Sequence, residues 1–210
     1  MLDFGGPVLR TPFELLRSAE ARSGLADGTL GWSGPFAPDR DELWRLQQSG
    51  GMSEREYWSR RAESFAALTG REPTFRGLMD VVFAAPEVEL VRAEALDLMR
   101  AARDAGLAVA VCTNDLRAFH GDAWVDALDV LHLVDVVVDG SVEHILKPDP
   151  RIYRMVTDRL GVDAPDCLFV DDQPGNIAGA EAVGMAVRWF DVTDPAGTFA
   201  AVRDDLGLPG

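Results

Sequence analysis

The sequence predicts an α/β fold, a doubly wound parallel sheet with an all-helical insert near its start. Three observations carry that expectation. Apolar runs of strand length alternate with helical patterns from Leu107 to the C-terminus, and no run of comparable quality lies between Thr11 and Pro86. Asp3 closes a very short apolar start ahead of the turn-forming Phe4-Gly5-Gly6-Pro7. Uninterrupted apolar runs fit parallel strands buried on both faces, with helices as the crossovers. The boundaries expected are residues 1–10 and 87–210 for the α/β body and 11–86 for the helical insert.

Taken in order, the first element is a strand that ends at Asp3 with only Met1 and Leu2 before it. Strands usually run five or six residues, so apolar residues are expected to belong upstream of Met1. In the insert, Gly31 to Pro38 reads as an ordered loop rich in glycine, proline and aromatic residues. Ser53 and Glu56 form a capping box, and the helix they start runs to Gly70 with Tyr57, Trp58, Ala62, Phe65 and Leu68 on one face. Most of Trp32, Phe36, Trp44, Tyr57 and Trp58 supply the insert's own small core, with one or two left to line a substrate pocket, whereas Arg40, Arg45, Arg60 and Arg61 are expected on solvated faces, with contact to an anionic substrate as the alternative. In the body, a helix over Ala93 to Ala105 stops at Gly106, and one over Arg151 to Leu160 follows Pro150 and stops at Gly161. The strands are Leu107 to Cys112, Val134 to Val138, Cys167 to Val170 and Ala186 to Phe190.

With 47% hydrophobic and 26% charged residues the chain is neither disordered nor fibrous. Its formal charge of -15 argues against nucleic acid or an anionic membrane as partner, because both would be repelled by the mean field. A small anionic substrate would need a local cationic pocket. Cys112 and Cys167 lie inside apolar runs, so both read as buried free thiols that suit a reducing, cytoplasmic setting. The sequence has no charged-then-apolar leader and no apolar stretch long enough to span a bilayer. His120, His132 and His144 are scattered without metal-ligand spacing.

Four positions carry the chemistry. Asp3, Thr113, Lys147 and the pair Asp171-Asp172 all fall at C-terminal strand ends, and a parallel sheet gathers such ends along one edge, where ligands bind. Singly, each has an ordinary reading as a turn residue, a strand-end hydroxyl, a surface lysine or a helix cap. Together they supply a carboxylate nucleophile, a hydroxyl donor, an ammonium and a paired-carboxylate metal site, the set that phosphoryl transfer needs. Two adjacent carboxylates would also repel each other unless a cation sits between them.

These residues, in this order, resemble the motifs of the haloacid dehalogenase-like superfamily. Asp3-Phe4-Gly5-Gly6 resembles its first motif, Cys112-Thr113-Asn114-Asp115 its second, Lys147-Pro148-Asp149-Pro150 its third and Phe169 to Asn176 its fourth. The resemblance implies a Rossmann-like core with a helical cap between the first and second motifs, and a magnesium-dependent hydrolase of small phosphate monoesters. It implies a transient aspartyl phosphate on Asp3 and phosphoryl oxygens held by Thr113, Asn114 and Lys147. It implies magnesium bound by Asp3, the Gly5 carbonyl, Asp172 and Asp171. The family's phosphatases usually carry a second aspartate two residues after the nucleophile as general acid and base, and here Gly5 takes that place. Its loss points to activated leaving groups, and it also admits a metal-independent dehalogenase or a weak phosphate-binding regulator as alternatives.

Overall fold

The structure is a computed structural model; it describes residues 1–209 and separates into two units, Thr11–Ala85 and the remainder, residues 1–10 with the chain from Pro86 onward. The first unit is helical throughout, with α1 (Pro12–Arg22), α2 (Glu42–Gln48), α3 (Glu54–Thr69) and α4 (Phe75–Val82). Each helix starts on a residue suited to bonding exposed amides. Thr11 and Glu14 form a reciprocal capping box at α1, and Asp41, Ser53 and Thr74 accept from backbone N–H groups at α2, α3 and α4. At α3 only half of the expected box is present, because the Glu56 carboxylate bonds Arg60 instead. That helix ends at Gly70 in the left-handed conformation that a residue without Cβ adopts at no steric cost.

Gly31 to Pro38 is an ordered loop, with short 3-10 turns at Gly34–Phe36 and Pro38–Arg40. Two expectations for this unit need correction. Leu68 is half exposed, because the buried face of α3 is already complete with Tyr57, Trp58, Ala62, Phe65 and Ala66. Arg61 lies in the core and not on a solvated face. Its guanidinium pairs with the buried Asp41 and stacks over the Trp32 and Tyr57 rings at 5.2 and 4.9 Å. Phe13 is the aromatic that the sequence pattern missed, within 5.3 to 6.2 Å of Trp44, Trp58 and Tyr57. Of the insert's five expected aromatics, Phe36 alone is exposed, at 46%.

The second unit adds α5 (Glu87–Leu90), α6 (Ala93–Asp104), β1 (Ala110–Thr113), α7 (Leu116–His120), α8 (Asp122–Asp126), β2 (Val136–Asp139), α9 (Gly140–Glu143), α10 (Pro150–Leu160), β3 (Leu168–Asp171), α11 (Pro174–Ala182), β4 (Ala186–Trp189) and α12 (Pro195–Asp205). β1 pairs with β2 and β3 with β4, both in parallel. Leu2 joins the two pairs, bridging Val111 on one side and Val170 on the other, so residues 1–3 take the central place in the order β2, β1, 1–3, β3, β4. The bonds alternate across both sides: Leu2 N–H to Ala110 and Cys112 N–H to Leu2 on one, Asp3 N–H to Val170 and Val170 N–H to Met1 on the other. β1 is buried at every position, and Tyr153, Ile152 and Val156 of α10 pack with Val138, Cys112 and Phe169 into one core. Gly106 and Gly161 stand just past α6 and α10 at positive φ, as the spacing predicts. β1, β2 and β3 each end one residue later than expected, which puts Thr113 and Asp171 inside the ladder, opposite Asp139 and Trp189.

Candidate functional site

Asp3, Thr113, Lys147, Asp171 and Asp172 come together at the carboxyl edge of the sheet. Asp3 follows the central bridge residue, Thr113 and Asp171 close β1 and β3, and Asp172 follows β3 directly. Asp3, Thr113, Lys147 and Asp171 are all buried. The Lys147 Nζ lies 2.8 Å from Asp3 Oδ1 and 2.6 Å from Asp171 Oδ2, and it stands 5.4 Å over the Phe169 ring. Burial pushes the Asp3 carboxyl up to about 6; Lys147 opposes the rise and Asp171 adds to it. Burial alone would pull the Lys147 ammonium down, yet the Asp171 and Asp3 charges more than reverse this and hold it above the ordinary lysine range.

The two aspartates at the end of β3 are treated differently. Asp171 is fully buried, and its oxygens accept from Lys147 Nζ, from Gln173 N–H at 2.7 Å and from Asn176 Nδ2 at 3.1 and 3.0 Å. Asp172 is half-buried and lies against the turn that follows Asp3. A Cβ on Gly6 would stand 3.0 to 3.3 Å from the Asp172 carboxylate atoms, and Gly6 has φ +88, so both space and backbone require glycine there. Gly5 differs, since a Cβ at that position meets nothing within 4 Å.

Oxygens of Asp3, Asp171 and Asp172 lie within 4.8 Å of one another. The expectation that Asp171-Asp172 needs an added cation is corrected in part, because Lys147 already neutralises Asp171. Asp3 and Asp171 share the single Lys147 ammonium, so these two carboxylates keep one negative charge between them, with the Asp172 oxygens beside them. All-oxygen hard donors with excess charge fit a divalent cation of the magnesium type. Since the donors around Asp171 already fill its lone pairs, Asp3 and Asp172 are the carboxylates that suit such an ion.

Asn114 faces the main chain of Lys147, accepting from its N–H at 2.6 Å and donating to its carbonyl at 3.3 Å. The sequence placed Asn114 among substrate-binding residues; here it clasps the segment that presents the ammonium. Asn176, which closes the fourth motif, grips Asp171 from the first turn of α11, a role the motif alone did not assign. One supporting residue escaped the sequence altogether. Arg92 is 2% exposed and donates to the Gly6 carbonyl at 2.7 Å beside the Phe190 ring, and nothing in the local pattern distinguishes it from a surface arginine. Of the histidines, His120 is buried and stacks on Trp124 at 4.1 Å. Cys112 and Cys167 are free and buried, and burial pushes the Cys112 thiol up to about 12. No helix among the described residues is long and apolar enough to cross a membrane.

A family model described as haloacid dehalogenase-like hydrolase matches residues 26–184, a stretch that holds Thr113, Lys147, Asp171 and Asp172 and begins after Asp3. The phosphoserine phosphatase of Thermus thermophilus is 32% identical over 163 residues, covering 76% of this chain and 56% of its own length. The (S)-2-haloacid dehalogenase 4A of Burkholderia cepacia is 27% identical over 192 residues, covering 88% of this chain and 76% of its own. The chain thus spans little more than half the length of the first of these relatives. Among solved structures, a HAD phosphatase from Thermococcus onnurineus superimposes with a TM-score of 0.61 at 19% identity, covering 98% of this chain and 96% of that one, a likeness of fold.

Proposed function

Because this chain belongs to the haloacid dehalogenase-like hydrolases, we propose that it hydrolyses a small phosphate monoester, with magnesium, through an aspartyl phosphate on Asp3. One observation carries the reading: a buried carboxylate at the carboxyl edge of the sheet is held 2.8 Å from a buried ammonium, with a second and a third carboxylate beside it. Both donors to Asp3, Phe4 N–H at 2.7 Å and Lys147 Nζ, sit on Oδ1. That leaves Oδ2 to attack phosphorus while Oδ1 stays fixed. A P–O bond forms to Asp3 as the bond to the leaving group breaks, and water then displaces Asp3 from phosphorus to release inorganic phosphate.

Lys147 and the Thr113 hydroxyl neutralise the equatorial phosphoryl oxygens, and Asp171, Asn176 and Asn114 keep the ammonium in place for it. When bound by Asp3, the Gly5 carbonyl and Asp172, magnesium would supply the further positive charge that lets an anionic carboxylate approach an anionic phosphate. The helical unit then serves as the substrate-selecting cap. With Gly5 in place of an acid, the leaving group departs without a side-chain proton donor from that position, which favours aryl, acyl or anomeric phosphates over alkyl esters.

The test is phosphate release from an aryl phosphate with Mg2+ and with a chelator, for the parent and for Asp172→Ala. Turnover that needs Mg2+ and falls in the variant supports the reading; chelator-insensitive turnover overturns it. The haloacid dehalogenase relative, matched over most of both chains, motivates a second reading in which Asp3 displaces halide from carbon without a metal. Halide release from a 2-haloacid in the presence of chelator would favour that reading.

A further inference from the structure

Trp189 is the last residue of β4, in register with Asp171, and is 51% exposed. Core packing does not account for a large apolar ring left half in water. Its Nε1–H, however, donates to the main-chain carbonyl of Asp172 at 3.0 Å. Asp172 occupies a two-residue crossing between the end of β3 at Asp171 and the start of α11 at Pro174. The residues around it are tied elsewhere: the Asp171 carbonyl accepts from Phe190 N–H at 2.9 Å, and Gln173 N–H bonds the Asp171 carboxylate. On the opposite side, the Asp172 carboxylate abuts Gly6, where no side chain fits. The peptide plane after Asp172 is therefore held from a neighbouring strand by an indole, while its carboxylate also accepts from Gln173 Nε2 at 3.4 Å, and a main chain fixed in this way limits the directions in which the carboxylate can point.

We propose that Trp189 is a positioning residue for Asp172, fixing its carboxylate for the divalent cation. The inference rests on the metal role given to Asp172 above. Groups that orient a metal ligand from behind typically change affinity by tenfold or more when removed, and a bond at a half-exposed ring belongs at the lower end of that range.

Trp189→Phe keeps an aromatic ring and removes the donor. Titration calorimetry with Mg2+ alone should show binding weakened by roughly tenfold, with the metal-free melting temperature unchanged and turnover recovering at saturating Mg2+. In the unmodified protein, Mg2+ should also change tryptophan emission by an increment that the substitution removes. Parental Mg2+ affinity in Trp189→Phe overturns the inference, as does a loss of affinity that tracks a lowered metal-free melting temperature. If the parent shows no Mg2+ binding that Asp172→Ala abolishes, both the inference and the metal role beneath it fall.

Discussion

Arg61 in the helical unit and Lys147 in the α/β unit are both buried cations, yet their surroundings differ in one decisive respect. Arg61 meets a single carboxylate, Asp41, which also accepts from Trp44 N–H at 2.9 Å and Gly34 N–H at 3.1 Å, and two aromatic rings frame the guanidinium. Charge there balances one to one, and the pair ties the start of α2 to α3. Lys147 meets two carboxylates with a third close by, so one ammonium is shared between Asp3 and Asp171. A balanced buried pair holds the chain together, and an unbalanced one is prepared for something that arrives from outside.

That contrast can be broken by substitution. The largest expected effect is on Asp3→Asn, which keeps shape and removes the attacking charge; turnover should fall by more than about 10³-fold with a native circular dichroism spectrum. Near-parental turnover would end the mechanism. Next, Asp41→Ala leaves the Arg61 charge buried without its partner and should cost about 3–5 kcal/mol in denaturant unfolding, while kcat per folded molecule stays near the parent. A specific loss of kcat at full folding would erase the distinction drawn between the two pairs.

A pH experiment sharpens it further. The folded Asp3 carboxyl is raised from 3.8 to about 6, so its contribution to stability is complete below pH about 3.8 and is lost as pH rises through about 6. In chelator, Asp3→Asn should therefore melt with the parent near pH 4 and above it at pH 7 to 8, by on the order of 5 °C. An equal gap at both ends of the range would mean that Asp3 is not burdened by burial. The smallest expected change comes from Gly5→Asp, which finds open space. Alkyl phosphate hydrolysis should rise, by up to ~10²-fold, with little change on aryl phosphates. No gain on alkyl esters would show that proton delivery to the leaving group does not limit them.

The sheet and its working edge were legible because Val111, Cys112, Val138, Phe169 and Val170 belong to apolar runs that only a doubly covered parallel sheet accommodates, and because strand ends on one edge must converge. What escaped depended on side-chain direction. Arg61 carries the same local signature as the exposed Arg60, and only the helix's rotation, which turns Arg61 toward Trp32 and Asp41, separates them. Likewise Asp171 and Asp172 are one letter repeated, yet successive residues leaving a strand point to different sides. One therefore meets Lys147 and Asn176, and the other turns toward Gly6. The strand ends ran past their apolar stretches because Thr113 and Asp171 still pair with Asp139 and Trp189, and polar residues at a functional edge carry no apolar mark.

The central place of residues 1–3 has a consequence for how the chain comes off the ribosome. Met1 and its partner Leu168 are 167 positions apart, and at about 5–20 residues per second that interval lasts roughly ten to thirty seconds. Throughout it, the segment bearing Asp3 has been synthesised while its β3 partner does not yet exist. The helical unit can form in that window from contacts local in sequence, whereas the sheet closes last, around a strand made first. Nascent-chain arrest before Leu168 should therefore yield a folded helical unit beside an open, apolar sheet edge, the form in which this protein is most exposed to chaperones and to aggregation.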